Sequence, residues 1–267
     1  MSTTSAATKV ALDEYSRNAR LKPAFLVVLP VGLLVSVFGL KASVMLAAVS
    51  GPLATLGLTL LLAQIGRDFG KRKEPLLYLL WGGKPSVAKM RHRDPSMNKH
   101  TRARYHQKAE IVLGFSLPDV TSEENDPNAA DAVYEAYSNL LLERTRDRKK
   151  FPLIFQELVN YGFRRNLWGM RPIGLTLSAT CVVLEIGGVA YSALSHQMPS
   201  ALALTSVLLS IFLLACWIFL INPEWVRLVA NAYAERLLAS SEMLQTATPP
   251  SSVEKEPSRR RRTKTIS

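Results

Sequence analysis

Residues 23–40, 42–66, 172–195 and 199–221 form four long apolar runs, grouped as two pairs around a charged middle. Glu185 is the only Asp, Glu, Lys, Arg or His in any of them. At about 1.5 Å per helical residue, each run is close to the length that crosses a hydrocarbon core about 30 Å thick. One soluble domain does not hold four such stretches. The pattern predicts an all-α membrane protein, with four transmembrane helices as two hairpins and a mainly helical cytoplasmic domain inserted between them. The divisions are a juxtamembrane segment at 1–22, hairpins at 23–66 and 172–221, and the charged domain at 67–171. An amphipathic helix at 222–245 and a disordered basic tail at 246–267 follow.

The spans carry a second pattern, of small residues. Ser43, Ala47, Ser50, Ala54 and Gly57 recur at steps of four and three and lead to Gln64. Gly174, Ser178, Cys181, Glu185, Gly188 and Ser192 do the same in the third run. Such spacing places them on one helix face, and small residues let backbones approach closely in lipid. Two readings stay open: a contact between the hairpins of one chain, or a face lining a subunit interface or a water-filled path. Glu185 bears on the choice, because a mid-span carboxylate is costly unless neutral, paired or wetted. No basic residue lies at its depth in another run, and Ser178, Ser192, Ser206 and Ser210 are the available hydrogen-bond partners. Pore or interface candidates are therefore Glu185, Ser178, Cys181, Gly188, Ser192, Ser50 and Gly57. Pro30 and Pro52 are expected as kinks.

Between the pairs the pattern becomes helical and polar. Asp126 reads as an N-cap with Pro127 in the first turn, opening a helix to about Asp147 with Ala129, Val133, Ala136, Leu140 and Leu141 on its apolar stripe. Helices are also expected from about Asn98 to Leu113, from Pro152 to Trp168, and from Asn222-Pro223 to about Leu244. The last of these should turn Trp225, Leu228, Val229, Ala232 and Leu237 inward. Gly82-Gly83 marks a turn, and residues 76–81 admit a short strand, although their alternation is poor.

Charge adds orientation. Arg17, Arg20 and Lys22 flank the first run; Arg67, Lys71, Arg72 and Lys73 follow the second. Arg164, Arg165 and Arg171 precede the third and Arg227 follows the fourth, while the hairpin loops carry only Lys41 and His196. The positive-inside rule puts both termini and the middle segment in the cytoplasm. The middle is also segregated: residues 67–108 hold twelve basic and three acidic side chains, 110–143 eight acidic and no basic ones, and 144–171 eight basic and two acidic ones. The blocks either pair with one another or leave an anion-binding surface at Lys84, Arg91, Arg93, Arg102, Arg104, Arg164 and Arg165. That surface would take an anionic ligand, an acidic partner protein or lipid headgroups; nucleic acid is not expected. Net charge is +12.

Catalytic motifs are missing. There is no phosphate-binding loop, nucleophile elbow, Cys-x-x-Cys or His-Glu-x-x-His, and no cofactor is expected. The two cysteines, Cys181 and Cys216, lie inside spans and imply no disulfide. His92, Asp94, His106 and Glu110, with His100 nearby, form the one cluster of metal-ligating types, but only His106 and Glu110 share a helical spacing, short of the three or four ligands a metal needs. No enzymatic activity is expected; a metal-dependent one would fall to that cluster.

Two spans, a cytoplasmic domain and two more spans in a chain of this length resemble the four-helix membrane effectors of bacterial anti-phage defence systems. Arg67-Asp68-Phe69-Gly70, Trp81-Gly82-Gly83-Lys84-Pro85 and Tyr161-Gly162-Phe163-Arg164-Arg165-Asn166 also look like segments of bacterial membrane proteins without assigned function. The resemblance implies a cytoplasmic sensor domain, homo-oligomerisation and membrane permeabilisation on activation; it carries over no site residue. The expected function is a ligand- or partner-gated effector of the plasma (bacterial inner) membrane that assembles into an oligomeric pore; the alternative is a non-conducting membrane scaffold that recruits a soluble partner.

Overall fold

A computed structural model describes residues 14–38, 44–114 and 116–244, with side chains described outside 44–55 and 113. Among the described residues the chain is all-helical, with no strand. In order the helices are α1 (Glu14–Phe38), α2 (Val44–Trp81), α3 (Pro85–Ala88), α4 (Lys99–Leu113) and α5 (Val120–Asn125). They continue with α6 (Pro127–Arg144), α7 (Pro152–Gly169), α8 (Arg171–Leu194), α9 (Ala201–Leu220) and α10 (Pro223–Ala239). Among the described residues three of them, α1, α8 and α9, are long and apolar enough to cross a membrane. The second apolar run forms the first part of α2. The N-terminal residues 1–13 and the basic tail at 246–267 lie outside the described residues, as does the side chain of Ser50.

The helix starts follow their caps. The side chains of Asn98, Asp119, Asp126 and Asn222 accept backbone N–H bonds at the heads of α4, α5, α6 and α10, at 2.9, 2.7, 3.0 and 2.9 Å. Each such cap stabilises its helix by about 1 kcal/mol. Residues 76–81, which admitted a short strand, are the end of α2. There the N–H of Gly82 reaches Leu79 O at 3.3 Å and that of Gly83 reaches Tyr78 O at 2.7 Å. This paired closure of a helix end needs a left-handed residue after the last turn, and Gly82, at φ +76°, supplies it without a Cβ penalty. The apolar run thus continues as helix past Gly66, and no break separates the second run from the domain.

Two apolar clusters organise the fold. One joins α1, α2 and α7 to α10 around Trp81, Tyr161, Trp168, Met170 and Trp217. The other lies in the inserted domain, where Met90, Tyr105, Tyr134, Tyr137 and Leu141 pack on Leu237 and Leu238. The strip of residues 223–239 serves both: Val226, Val229 and Ala230 belong to the first cluster, Leu237 and Leu238 to the second. Two expected faces are rotated. In α6 the buried positions are Ala130, Tyr134, Tyr137, Ser138 and Leu141, because the tyrosine rings bury more apolar area than the alanines one position away. In α10 Leu228 is 67 % exposed, and Val226, Ala230 and Ala234 point inward in its place.

Candidate functional site

The most heavily built polar feature lies where α7 gives way to α8. Only Met170 separates the two helices, so the last helix of the inserted domain leads almost directly into a candidate span. Pro23 explains one side of the joint. It has no N–H to offer the carbonyl of Ala19, four residues earlier, and α1 widens there into a π-turn over Arg17–Leu21. Asn166, 1 % exposed, donates Nδ2 to that carbonyl at 2.7 Å, while its Oδ1 accepts from Arg165 Nη2 at 3.2 Å. Arg165 in turn pairs with Glu74 of α2 at 2.9 Å, and Tyr161 OH donates to the same carboxylate at 2.6 Å. On the far side, Arg171 donates Nε and Nη2 to the carbonyls of Trp217 and Ile218, at 3.1 and 2.9 Å, which the end of α9 leaves unpaired. Backbones touch here as well: a Cβ on Gly169 would stand 2.6 Å from Gly70 N.

The electrostatics fit a closed network. Burial opposes ionisation of Glu74, but the Arg165 guanidinium and the hydroxyls of Tyr161 and Tyr78 hold its carboxyl below the ordinary range. Burial and the neighbouring carboxylate push Tyr78 up to about 12, and Tyr161 is raised further for the same reasons. Burial lowers Arg165, and the Glu74 partner more than offsets it. The joint therefore holds one ion pair and neutral phenols, and it ties α1, α2 and α9 to the α7–α8 connection.

The small-residue candidates divide by helix. On α8, Ser178 and Cys181 are buried, Gly188 takes the Phe38 ring of α1 against it, and Gly174 takes the Trp217 ring of α9. Glu185 is 0 % exposed; its Oε1 accepts from Ser206 and Ser210 of α9 at 2.9 and 3.1 Å, while its Oε2 and the hydroxyl of Ser178 are enclosed without a partner. Ser192 bonds its own helix, at Gly188 O. Gly57 of α2 is exposed with open space around it. The α8 stripe is thus an internal contact with α1 and α9, and the structure does not join it to Gly57.

The basic candidates all have partners inside the chain. Arg91 forks onto Asp131 at 2.6 and 2.8 Å and reaches Gly82 O, so the Gly82-Gly83 turn is a staple within the domain. Arg93 lies 3.5 Å from Glu123, Lys84 3.1 Å from Asn139 Oδ1, and Arg104 2.8 Å from Glu242. Arg102 donates to the carbonyls of His92, Asp94 and Met97. Arg164 bonds Trp225 O and lies over its ring, and Arg165 belongs to the joint. Lys84, Arg91 and Arg93 pair with carboxylates of the acidic block; the other candidates answer carbonyls or carboxylates outside it.

The histidines serve the same domain. His92 and His106 stand with ring centroids 4.6 Å apart, and each directs Nε2 at a carbonyl, Pro118 O and Met90 O. Asp94 caps Ser96 N, and Glu110 is exposed on α4. No three His, Cys, Asp or Glu side chains converge among the described residues. The residue that organises this corner, Glu123, was not among the sequence candidates. It is 2 % exposed and accepts from His92 N–H, Arg93 N–H and Tyr134 OH. Sequence offered no signal for it beyond membership in the acidic block. Asn166 and Arg171 were not among the candidates either; Pro23 and the end of α9 signal carbonyls in need of donors, but not which residues supply them.

No protein-family model, no curated protein and no solved structure matches this chain.

Proposed function

We propose that the chain is a four-span membrane effector of the bacterial defence type, with both termini and the inserted domain in the cytoplasm. In this reading a ligand or partner engages the domain, and α7 passes the displacement to the spans of an oligomer. The joint carries the proposal: Asn166, Arg165 and Arg171 bind α1, α2 and α9 from a connection one residue long. A rigid-body shift of α7 cannot leave those helices in place without exposing a buried ion pair and unpaired carbonyls. Because the basic residues are internally paired, a ligand either competes for them or enters the open cavity of about 560 Å³ lined by His92, Arg93, Lys99 and Glu124. The scaffold reading has its own support, since Glu185 is enclosed within one chain.

Reporter fusions after Gln197 should read external and one after Glu124 internal. In proteoliposomes, Arg165→Ala should uncouple the domain and produce ion leakage, and Glu185→Gln placed on top should change that flux. If neither variant nor wild type conducts, the pore form fails and the scaffold form stands.

A further inference from the structure

Helix α2 has two unlike sides. Thr59, Leu62, Ala63, Gly66, Gly70 and Leu77 are buried, whereas Gly57, Leu61, Gln64, Asp68, Arg72 and Leu79 are exposed. At about 100° per residue the exposed six fall within an arc of about 80°. From Gly57 to Leu79 this face runs about 33 Å, at about 1.5 Å per residue. Its first part belongs to the apolar run; its last part lies beyond the belt of Arg67, Lys71, Arg72 and Lys73. Past that belt no lipid covers it, yet Leu79 on the face is 77 % exposed, and Leu76 and Leu80, about 40° and 80° beyond its edge, are 48 and 56 % exposed. Contiguous apolar surface in water marks an interaction site.

We infer that this face of α2 is a two-fold interface between copies of the chain, from the small-residue face near Gly57 to Leu79, with Leu76 and Leu80 at its rim. The proposal rests on the membrane reading above. Two observations select a second copy. An occupant must cover an intramembrane stretch and an aqueous stretch of one continuous face, which lipid cannot do and a soluble partner cannot do. The face is also charge-complementary to itself. Asp68 and Arg72 are exposed and make no ion pair among the described contacts. In a parallel pair, the Asp68 of each copy lies one turn, about 6 Å along the axis, from the other's Arg72, within reach of a guanidinium. The contact is reciprocal, as a two-fold axis requires. Gly57, with no neighbour in its own chain, then lets the backbones approach within the membrane.

The test is oxidative cross-linking of the full chain in native membranes, with Cys181 and Cys216 replaced by Ala. Gly57→Cys and Leu79→Cys should each give a disulfide-linked dimer, and Leu153→Cys, an exposed control on α7, should not. Leu79→Glu should remove most of the Gly57→Cys product. Asp68→Arg or Arg72→Asp alone should do the same, and the two together should restore it. Alkaline carbonate extraction of the same membranes separates the two claims. A chain released by carbonate overturns the membrane reading and the interface with it. A retained chain that gives no dimer at Gly57 and Leu79, or as much at Leu153, overturns the interface alone; so do charge variants that leave the product unchanged.

Discussion

Glu123 and Glu185 are both enclosed, at 2 and 0 % exposure, one in the inserted domain and one in the α8–α9 pair. Their surroundings differ. Glu123 accepts two backbone N–H groups and a phenol and has Arg93 at 3.5 Å. Burial works against its charge, but these donors win and hold its carboxyl below the ordinary range. Glu185 meets two serine hydroxyls through one oxygen, and its other oxygen meets nothing. A buried carboxylate whose donors converge holds a fold together; one that is half met costs the fold stability and needs another reason to be there.

Removing each carboxylate is the strongest way to break that contrast. Glu123→Ala leaves the backbone N–H groups of His92 and Arg93 without their acceptor and leaves the Tyr134 hydroxyl only Pro118 O, at 3.5 Å. Hydrogen bonds to charged groups contribute about 1.5–3 kcal/mol each, so the domain should lose on the order of 3 kcal/mol or more. Thermal unfolding in detergent, followed by hydrogen exchange over residues 90–134, measures it. A loss under about 1 kcal/mol would show that the network does not hold the corner.

Glu185→Leu should behave in the opposite way. Leucine fills similar volume, removes an unmet oxygen, and lets Ser206 and Ser210 turn back to carbonyls of their own helix. Stability in detergent should stay within about 1 kcal/mol of wild type or rise, because intramembrane hydrogen bonds average about 0.6 kcal/mol. If the midpoint instead falls as far as for Glu123→Ala, the two carboxylates are equivalent and the contrast collapses.

The same contrast explains what was legible in sequence. Helix positions and caps were readable because they are local: Asp126-Pro127 and Asn222-Pro223 open α6 and α10 where the pattern put them. Periodicity identified the small-residue faces of α2 and α8, but it could not say what covers each. One turned out to pack on Phe38 and Trp217, the other to stand open at Gly57. Residues 76–81 stayed ambiguous because an apolar run of that length fits strand or helix alike, and the deciding bonds come from Gly82 and Gly83 beyond it. The joint was not legible, since Glu74, Arg165 and Ala19 meet only after α1, α2 and α7 have packed. Basic blocks drew attention as a ligand surface, whereas their arginines answer the chain's own groups, some far away in sequence, as Arg165 with Glu74 and Arg91 with Asp131, and some near, as Arg102 with Met97 O.

The smallest expected effect concerns how the Glu123 corner responds to acid. His106 packs on His92 and Tyr134 and bonds Met90 O. Burial lowers its pKa from the model-compound value of 6.5, with His92 and Arg102 adding to the shift, although the Met90 carbonyl opposes it. The unfolded chain therefore takes up this proton before the folded one does, and stability contributed by the neutral ring is lost as pH falls below 6.5. Glu123, lowered from 4.5, acts in the same direction at lower pH: its contribution is present above 4.5 and is lost as pH falls through the folded value. The domain should thus show two limbs, a shallow decline starting near pH 6.5 and a steeper one below 4.5. His106→Gln keeps an N–H donor for Met90 O without a titrating ring, so it should flatten the first limb and leave the second. Unfolding midpoints across pH 7.5 to 4 decide it. A first limb unchanged by His106→Gln would assign that proton uptake to another group and detach the histidine from the corner that Glu123 organises.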